Sequence, residues 1–403
     1  MTDKKLAFFY THYQCLGHTA RILSLLSAIK GAYPSSKLFN IHGSYPHQEL
    51  IPPTYIKNLY LPHPLFSSAN FREPFRIPFE HLQERAEYLL GLIKQIEPDI
   101  FLTEYFPFGR NVCKYELLPS FSYLRRKNAT ILSSVGYPLV SENGFEDIYN
   151  FSIFLKHIFI HSPYLETTYI ADSYGKSKEK QKYLEIFRRF SEKITFTNYV
   201  LPVSLKFGSL GQKNYTPLIK KGKINVLVTR GAGAYYPNII LAAIKASELF
   251  DDNFNFIIIS GPSTPESDFS IFCVLMKKKK VSNASLLKYT SNLSELMKKC
   301  DLCISTAAYN TAVSLLYYRK SAIIIPFEGY GRMHFREQPA RARLLNDYLG
   351  GVILRYTNLT AKKLAQKIIK KVNQSASSLA GKIEQNWFSG REEFIQGLMR
   401  FSD

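Results

Sequence analysis

A histidine near the start of the chain stands where general-base chemistry is expected. An apolar run predicts a strand over residues 6–10, and Gly17 and His18 stand at the start of the helical run that follows. Because ligands of open parallel sheets bind at the carboxyl ends of the strands, His18 is expected at a ligand-binding edge. There it would act as a general base, cap the helix or bind an anion. His12, in the same turn, is the alternative base.

A carboxylate and a guanidinium flank an aromatic loop farther along the chain. Glu104 and Arg110 enclose residues 105–109, just past a strand predicted over residues 99–103. Two interpretations remain open. The pair binds the acceptor or a departing phosphate, or it forms a buried ion pair that braces the loop. Glu104 joins His18 as a candidate catalytic residue.

A short polar turn in the second half has the composition of an anion site. A strand predicted over residues 302–305 leads through Thr306, Ala307 and Ala308 into a helical run that begins with Tyr309, Asn310 and Thr311. A helix start has N–H donors without partners and the positive end of the helix dipole, and both favour phosphate. Downstream carboxylate and amide side chains could hold a ribose, so the segment predicts a nucleotide-diphosphate site.

Glycines follow two other strands of the second half. Gly231 and Gly233 come after the strand predicted over residues 224–229, and Gly261 closes the next one. Each turn alone is as well explained by an ordinary tight turn. Together with the 306–311 turn, they predict strand ends that converge on one crevice.

Composition bounds the function classes. The 403 residues carry a formal net charge of +20, which would attract nucleic acid, anionic lipid or small anions. The basic runs have no accompanying nucleic-acid module, so we rank a membrane surface above nucleic acid and expect most runs to be solvated faces. No apolar run approaches the roughly 20 residues of a bilayer span, and the start lacks a secretory pattern, which predicts a cytoplasmic protein. The five cysteines are interpreted as reduced, mostly buried thiols.

Short apolar runs alternate with amphipathic stretches, and this alternation predicts an α/β protein with mostly parallel sheets. The region 43–77, rich in proline and aromatics, is interpreted as loops. A polar connector at residues 200–223 separates two sets of strands, predicting Rossmann-like domains over residues 1–205 and 206–403. The first would carry the acceptor side and the second the nucleotide-sugar site. The last helix could pack back across the joint.

These motifs and their order resemble the GT-B glycosyltransferases, in which two Rossmann-like domains face each other across a cleft. The resemblance spans most of the chain and is closest to the branch that includes MurG and the sugar-nucleotide hydrolase PseG. Residues 98–119 also resemble a group of uncharacterised bacterial glycosyltransferases. The turn at residues 306–308 reads Thr-Ala-Ala where glycine is commoner, so its backbone has less freedom to enter the left-handed region.

The resemblance implies a role for each matching residue. His18 would be the base, or would position the attacking oxygen. The remaining residues would bind the donor: Gly231, Gly233 and Gly261 at the strand ends, Tyr289 and Thr290 at the nucleobase, Thr306, Ala308, Asn310 and Thr311 at the diphosphate, Glu337 at the ribose, Gln338 at the sugar, and Arg341 among arginines near the diphosphate.

We therefore predict an inverting, metal-independent glycosyltransferase without a cofactor, since no Asp-x-Asp pair stands in the loops. The donor would be a nucleotide-diphosphate sugar, with UDP-sugars favoured. The acceptor would be a cell-envelope or lipid-linked glycan, reached at the inner face of an anionic membrane. Two alternatives share the donor residues: a sugar-nucleotide hydrolase or epimerase, and a non-catalytic glycan- or nucleotide-binding protein. A nucleic-acid binder ranks last.

Overall fold

The computed structural model describes residues 4–10, 16–44, 52–64, 78–140, 144–201, 216–231, 236–278, 281–330, 333–334, 336–374 and 383–401. The chain divides into two compact units. Unit 1 comprises Met1–Lys206 and Gln385–Asp403, and unit 2 comprises Phe207–Glu384. These units differ from the predicted ranges of 1–205 and 206–403 at the C-terminal end, where the last residues group with unit 1 for a packing reason given below.

Unit 1 is built on one parallel sheet. Its strands are β1 (Lys5–Tyr10), β2 (Lys37–His42), β3 (Ile56–Tyr60), β4 (Ile100–Glu104), β5 (Thr130–Val135), β6 (His157–Ile160) and β7 (Ile194–Phe196). They pair in the order β3-β2-β1-β4-β5-β6-β7, each parallel to its neighbours. The order reverses between β1 and β4, so the crevice of a doubly wound sheet is expected at their carboxyl ends.

Helices connect these strands: α1 (Leu16–Ala32), α2 (Phe79–Ile96), α3 (Lys114–Arg126), α4 (Gly144–Phe151), α5 (Tyr164–Ser173) and α6 (Lys178–Arg189). The central strands are buried beyond their first residue and mostly apolar, as expected where helices cover both faces of a sheet. Every described residue of β4 is buried, Glu104 included.

Strand β3 corrects the interpretation of residues 43–77 as loops. It extends the sheet beside β2, with Ile56 buried against the core. The carbonyls of Pro62 and His63, just after β3, each accept a 2.9 Å hydrogen bond from Nη1 of Arg85 in α2. Arg85 is itself fully buried and binds Glu116 of α3. A distant ion pair thus fixes the end of this strand.

Unit 2 repeats the plan. Its main sheet contains β8 (Ile224–Thr229), β9 (Phe254–Ile259), β10 (Ala284–Leu287), β11 (Leu302–Ser305), β12 (Ala322–Ile324) and, after the hairpin β13 (Gly329–Tyr330) and β14 (Met333–His334), β15 (Val352–Ile353). The order is β10-β9-β8-β11-β12-β15, again parallel throughout. The prediction of an α/β chain with two Rossmann-like domains is confirmed.

The helices of unit 2 are α7 (Asn238–Ser247), α8 (Glu266–Lys278), α9 (Leu293–Lys299), α10 (Tyr309–Tyr317), α11 (Glu337–Leu349) and α12 (Ala361–Val372). Aliphatic side chains of α7 and α12 pack with β8, β9 and β11 in one continuous core. Within the described residues, no helix is long and apolar enough to cross a bilayer.

The C-terminal helix α13 (Gly390–Met399) belongs to unit 1 because it packs closely there. A Cβ on Gly390 would lie 2.6 Å from the carbonyl carbon of Tyr199, and one on Gly397 would lie 2.5 Å from the Phe159 ring. The backbone N–H of Tyr199 also donates to the Trp387 carbonyl at 2.6 Å. Glycine allows this close approach, so the tail is fixed on the first sheet.

Candidate active site

The structure brings the two predicted catalytic residues of unit 1 together. His18 lies in the first turn of α1, and Glu104 is the last residue of β4, beside β1. Nδ1 of His18 is 2.7 Å from Oε1 of Glu104. Nη2 of Arg110 is 3.3 Å from Nε2 of the same ring. A carboxylate can only accept, and its 2.7 Å contact is shorter than the 3.4 Å between Nδ1 and Nη2 of Arg21, so we assign the proton to Nδ1. Arg110, which can only donate, then faces the lone pair of Nε2.

Glu104 is an ionised carboxylate in a buried position, with 2% of its surface exposed. Burial raises its pKa, but the charge and hydrogen bond of His18 and the charges of Arg21 and Arg110 outweigh burial and lower the pKa to about 2. Oε1 accepts from both His18 and Arg21. Glu104 can therefore orient His18 and stabilise its protonated form, as an acidic partner does for a catalytic histidine.

The loop after β4 is held in a specific conformation. Tyr105 and Arg110 both adopt left-handed φ values, of 69° and 60°. The strain of a side chain in that region is offset by hydrogen bonds: the N–H of Tyr105 donates to the Ser134 carbonyl at 2.9 Å, and Ser133 Oγ donates to the Phe106 carbonyl at 2.7 Å. Strand β5 thereby anchors the loop that presents Arg110 to His18.

These contacts match neither interpretation of Glu104 and Arg110 in full. The Glu104 carboxylate is buried and bound to His18, so it cannot contact a substrate directly in this conformation. Its hydrogen-bonded ionic partner is Arg21 of α1, a residue that the sequence analysis did not select. The i,i+3 spacing of His18 and Arg21 on a predicted helix was the available signal. His12 lies outside the described residues.

In unit 2, the predicted diphosphate turn joins β11 to α10. Ala308 is the N-cap of α10, with φ −63° and ψ 147°, so it provides no side-chain acceptor for the first turn of the helix. Such a start is suited to an external anion. None of residues 306–308 has a positive φ, so this turn does not need the backbone freedom of glycine. Thr306 and Thr311 are buried beside it, and Asn310 is partly exposed.

Three residues of α11 support this turn. Gln338 Oε1 accepts from the N–H of Ala307 at 3.1 Å and from that of Phe327 at 2.9 Å, joining the segments after β11 and β12. Nη1 of Arg341 donates to the Ala307 carbonyl at 2.8 Å and to Oε1 of Glu337 at 2.9 Å. Arg341 is fully buried, a geometry that fits support of the turn better than the predicted direct contact with a diphosphate. The Glu337 side chain is 17% exposed.

The predicted glycine turns lie at the same edge of the second sheet. Gly231 and Gly261 both have positive φ, of 70° and 99°, which explains glycine at these positions. The N–H of Gly261 donates a 2.9 Å hydrogen bond to the Lys288 carbonyl. Buried Arg230 donates from Nε to the Ser260 carbonyl at 2.8 Å, linking the ends of β8 and β9. Gly233 lies outside the described residues.

The predicted nucleobase residues follow the edge strand β10. Thr290 is buried, and its Oγ1 accepts from the Asn292 N–H at 3.0 Å, closing a local turn. Tyr289 is partly buried beside it. Just past β9 and at the end of β11, Oγ of Ser260 and Oγ of Ser305 are buried without a hydrogen-bond partner among the described residues. Buried polar atoms of this kind commonly bind a water or a ligand.

The described part of the chain contains His, Cys, Asp and Glu side chains, the residue types of metal sites in proteins. No group of three or more His, Cys, Asp and Glu side chains there could hold a metal ion. Cys113, Cys273, Cys300 and Cys303 are free thiols, and the Sγ atoms of the last two are 3.2 Å apart. Three of these four, Cys113, Cys300 and Cys303, are buried as expected, and Cys273 is half-buried; Cys15 lies outside the described residues.

Comparisons with known proteins agree with this geometry. Residues 225–397 match the family model of the glycosyltransferase family 28 C-terminal domain. The chain is 26% identical over 156 residues to the UDP-N-acetylglucosamine--N-acetylmuramyl-(pentapeptide) pyrophosphoryl-undecaprenol N-acetylglucosamine transferase of Prochlorococcus marinus, a match that covers 38% of this chain and 39% of that relative. It is 22% identical over 322 residues to an uncharacterized glycosyltransferase of Methanosarcina mazei, covering 73% of each.

A solved structure extends the likeness to the whole chain. The crystal structure of MurG from Acinetobacter baumannii superposes with a TM-score of 0.58 at 13% identity and covers 98% of this chain and 99% of that one. At this identity the match shows the fold alone. The matched family model begins within β8 and includes every described donor-site candidate of unit 2.

Proposed function

We propose that this chain, a GT-B protein that resembles MurG, transfers a sugar from a nucleotide-diphosphate donor to an acceptor hydroxyl. The observation that carries the proposal is the His18–Glu104 pair at the switch point of the first sheet, with Nδ1 protonated and Nε2 basic. The family 28 match supports a nucleotide-sugar site in unit 2.

The proposed mechanism uses His18 as the general base. Nε2 takes the proton of the acceptor hydroxyl while the acceptor oxygen forms a bond to the anomeric carbon. The bond from that carbon to the diphosphate oxygen breaks, and its electron pair leaves with the diphosphate, so the configuration inverts. Glu104 stabilises the imidazolium that forms. General-base catalysis of this kind contributes about 10²–10⁴-fold in rate.

The Arg110 guanidinium must move away from Nε2 of His18 for this step, because it lies 3.3 Å from this nitrogen, which takes the proton. We propose that an arriving acceptor replaces Arg110 at Nε2. The leaving diphosphate would be stabilised by the N-terminus of α10, with its alanine N-cap, rather than by a metal. Glu337 would hold the ribose, Gln338 the sugar through its amide nitrogen, and Tyr289 and Thr290 the base.

The proposed donor and acceptor follow from the named relative and from the charge of the chain. The relative from Prochlorococcus marinus is named for UDP-N-acetylglucosamine and a pyrophosphoryl-undecaprenol acceptor, which favours a UDP-sugar and a lipid-linked glycan here. A net charge of +20 favours binding of the protein to an anionic membrane surface, on the cytoplasmic side. Sedimentation with anionic vesicles at rising salt would test that surface.

Calorimetric titration with UDP, GDP, dTDP, CDP and ADP tests the donor site. We expect one diphosphate, UDP, to bind, and Glu337→Ala to weaken it by at least 10-fold because the ribose contact is lost. Asp347→Ala, an exposed carboxylate in the last turn of the same helix α11, is the matched control and should bind as the wild type does. Absence of binding by all five nucleotides would contradict the proposal.

A further inference from the structure

Arg21 is a buried cation that the mechanism above does not use. It lies on α1, one turn after His18, and is only 2% exposed, so it cannot reach a substrate. Its Nη2 donates to Oε1 of Glu104, the same oxygen that accepts from Nδ1 of His18. One carboxylate oxygen is thereby clamped between two side chains of a single helix face.

The fold makes room for this guanidinium. A Cβ added to Gly136, just after β5, would lie 2.5 Å from both Cζ and Nη1 of Arg21. The φ of Gly136 is not in the left-handed region, so backbone conformation does not require glycine there. The absence of a side chain at residue 136 therefore serves the placement of Arg21.

We propose that Arg21 is a positioning residue, which holds the Glu104 carboxylate against Nδ1 of His18 and so keeps Nε2 as the basic nitrogen. The inference rests on the proposed role of His18 as base. Other groups also face Glu104: Arg110 from the loop after β4, His161 after β6, and Tyr10 at the end of β1. Arg21 differs from them because it shares the bonded oxygen with His18.

The test is an NMR titration of His18 in the substrate-free protein with ¹⁵N-labelled histidine, with His18→Gln used to assign the resonance. In Arg21→Met we expect the proton population on Nδ1 to fall. The ¹⁵N shifts of Nδ1 and Nε2 in the neutral ring report this population, because it depends on how firmly the Glu104 carboxylate is held against Nδ1.

Gly136→Ala provides a second route that leaves Arg21 in the chain. Its Cβ would push the guanidinium away from Glu104, and we expect the same change in His18, smaller in size. In the Arg21→Met background, Gly136→Ala should add nothing, because the group it displaces is absent. Gly91→Ala, with no atom within 4 Å of its Cβ, is the matched control and should leave His18 unchanged.

Two results would overturn the inference. One is a wild-type distribution of the proton between Nδ1 and Nε2 of His18 in both Gly136→Ala and Arg21→Met, whether or not the variants lose stability. The other is an additive effect of the two substitutions. Since the readout needs no donor or acceptor, failure of this inference is distinguishable from failure of the transferase proposal.

Discussion

At the scale of single residues, the chemistry of unit 1 depends on a buried charge that is compensated by its neighbours. Glu104 would be costly to ionise alone in the core, yet His18, Arg21 and Arg110 together more than offset that cost. The same arrangement fixes the tautomer of His18. Removing the carboxylate should therefore affect both stability and catalysis.

Glu104→Gln tests the stability effect. The substitution leaves Arg21 buried without its carboxylate, and loss of one partner of a buried pair costs about 3–5 kcal/mol of unfolding free energy at neutral pH. The pKa of Glu104 is depressed from 4.5 to about 2 in the folded state. Its stabilisation is thus fully present above pH 4.5 and is lost as the pH falls toward 2.

Urea unfolding at a series of pH values between 5 and 3 measures this difference. Wild type should lose stability more steeply than Glu104→Gln over this window. The buried His161 contributes to the pH dependence of both proteins. Burial and Arg21 lower its pKa to about 3, while Glu104 acts in the raising direction. The exposed Glu185→Gln is the control and should follow the wild-type curve. Parallel curves for wild type and Glu104→Gln would contradict the assigned ionisation.

At the scale of elements, the docking of α13 on the first sheet depends on two glycines. Gly390→Ala would place a Cβ within 2.6 Å of the Tyr199 backbone, and Gly397→Ala would press on Phe159. We expect each to destabilise unit 1 by about 1–3 kcal/mol, as overpacking does. Gly31→Ala, with open space around its Cβ, should be neutral or stabilise α1 by about 0.5–1 kcal/mol.

Urea unfolding followed by tryptophan fluorescence reports this docking directly. Trp387 is the single tryptophan of the chain, lies just before α13 and is 8% exposed. An unchanged unfolding midpoint in Gly390→Ala, together with an unchanged midpoint in Gly31→Ala, would show that α13 docks less closely than described.

The elements also show what sequence could and could not predict. Apolar runs predicted the central strands to within a residue or two, because each run is short and is bounded by turn residues. Strand β3 was missed because prolines flank it and its end is fixed by Arg85, which lies in α2 far along the chain. No local pattern reveals such a contact.

The candidate site was predictable to a similar extent. His18 and Glu104 were found because both follow strand ends, whereas the role of Arg21 depends on Gly136, more than a hundred residues away. Gln338 and Arg341 were selected as donor ligands through resemblance, yet their observed contacts are to the backbone of the turn at residue 307. The donor assignments remain predictions.

At the scale of the whole molecule, we propose separate chemical roles for the two Rossmann-like units of the chain. Unit 1 has a histidine whose basic nitrogen is set by a buried carboxylate, and unit 2 has a helix start suited to a diphosphate. A binding protein would need only the second of these. The first indicates catalysis, so the central claim is that His18 acts on an acceptor while unit 2 holds the donor.

The most direct test is acceptor-dependent release of UDP from UDP-sugars, followed by ³¹P NMR with a lipid-linked saccharide extract, for wild type and His18→Ala. We predict release that requires the extract and falls by at least about 100-fold in His18→Ala, while UDP affinity is unchanged. Release at the same rate without acceptor would instead indicate a hydrolase. Equal rates for wild type and His18→Ala, or no turnover of any UDP-sugar by a protein that binds UDP, would contradict the account.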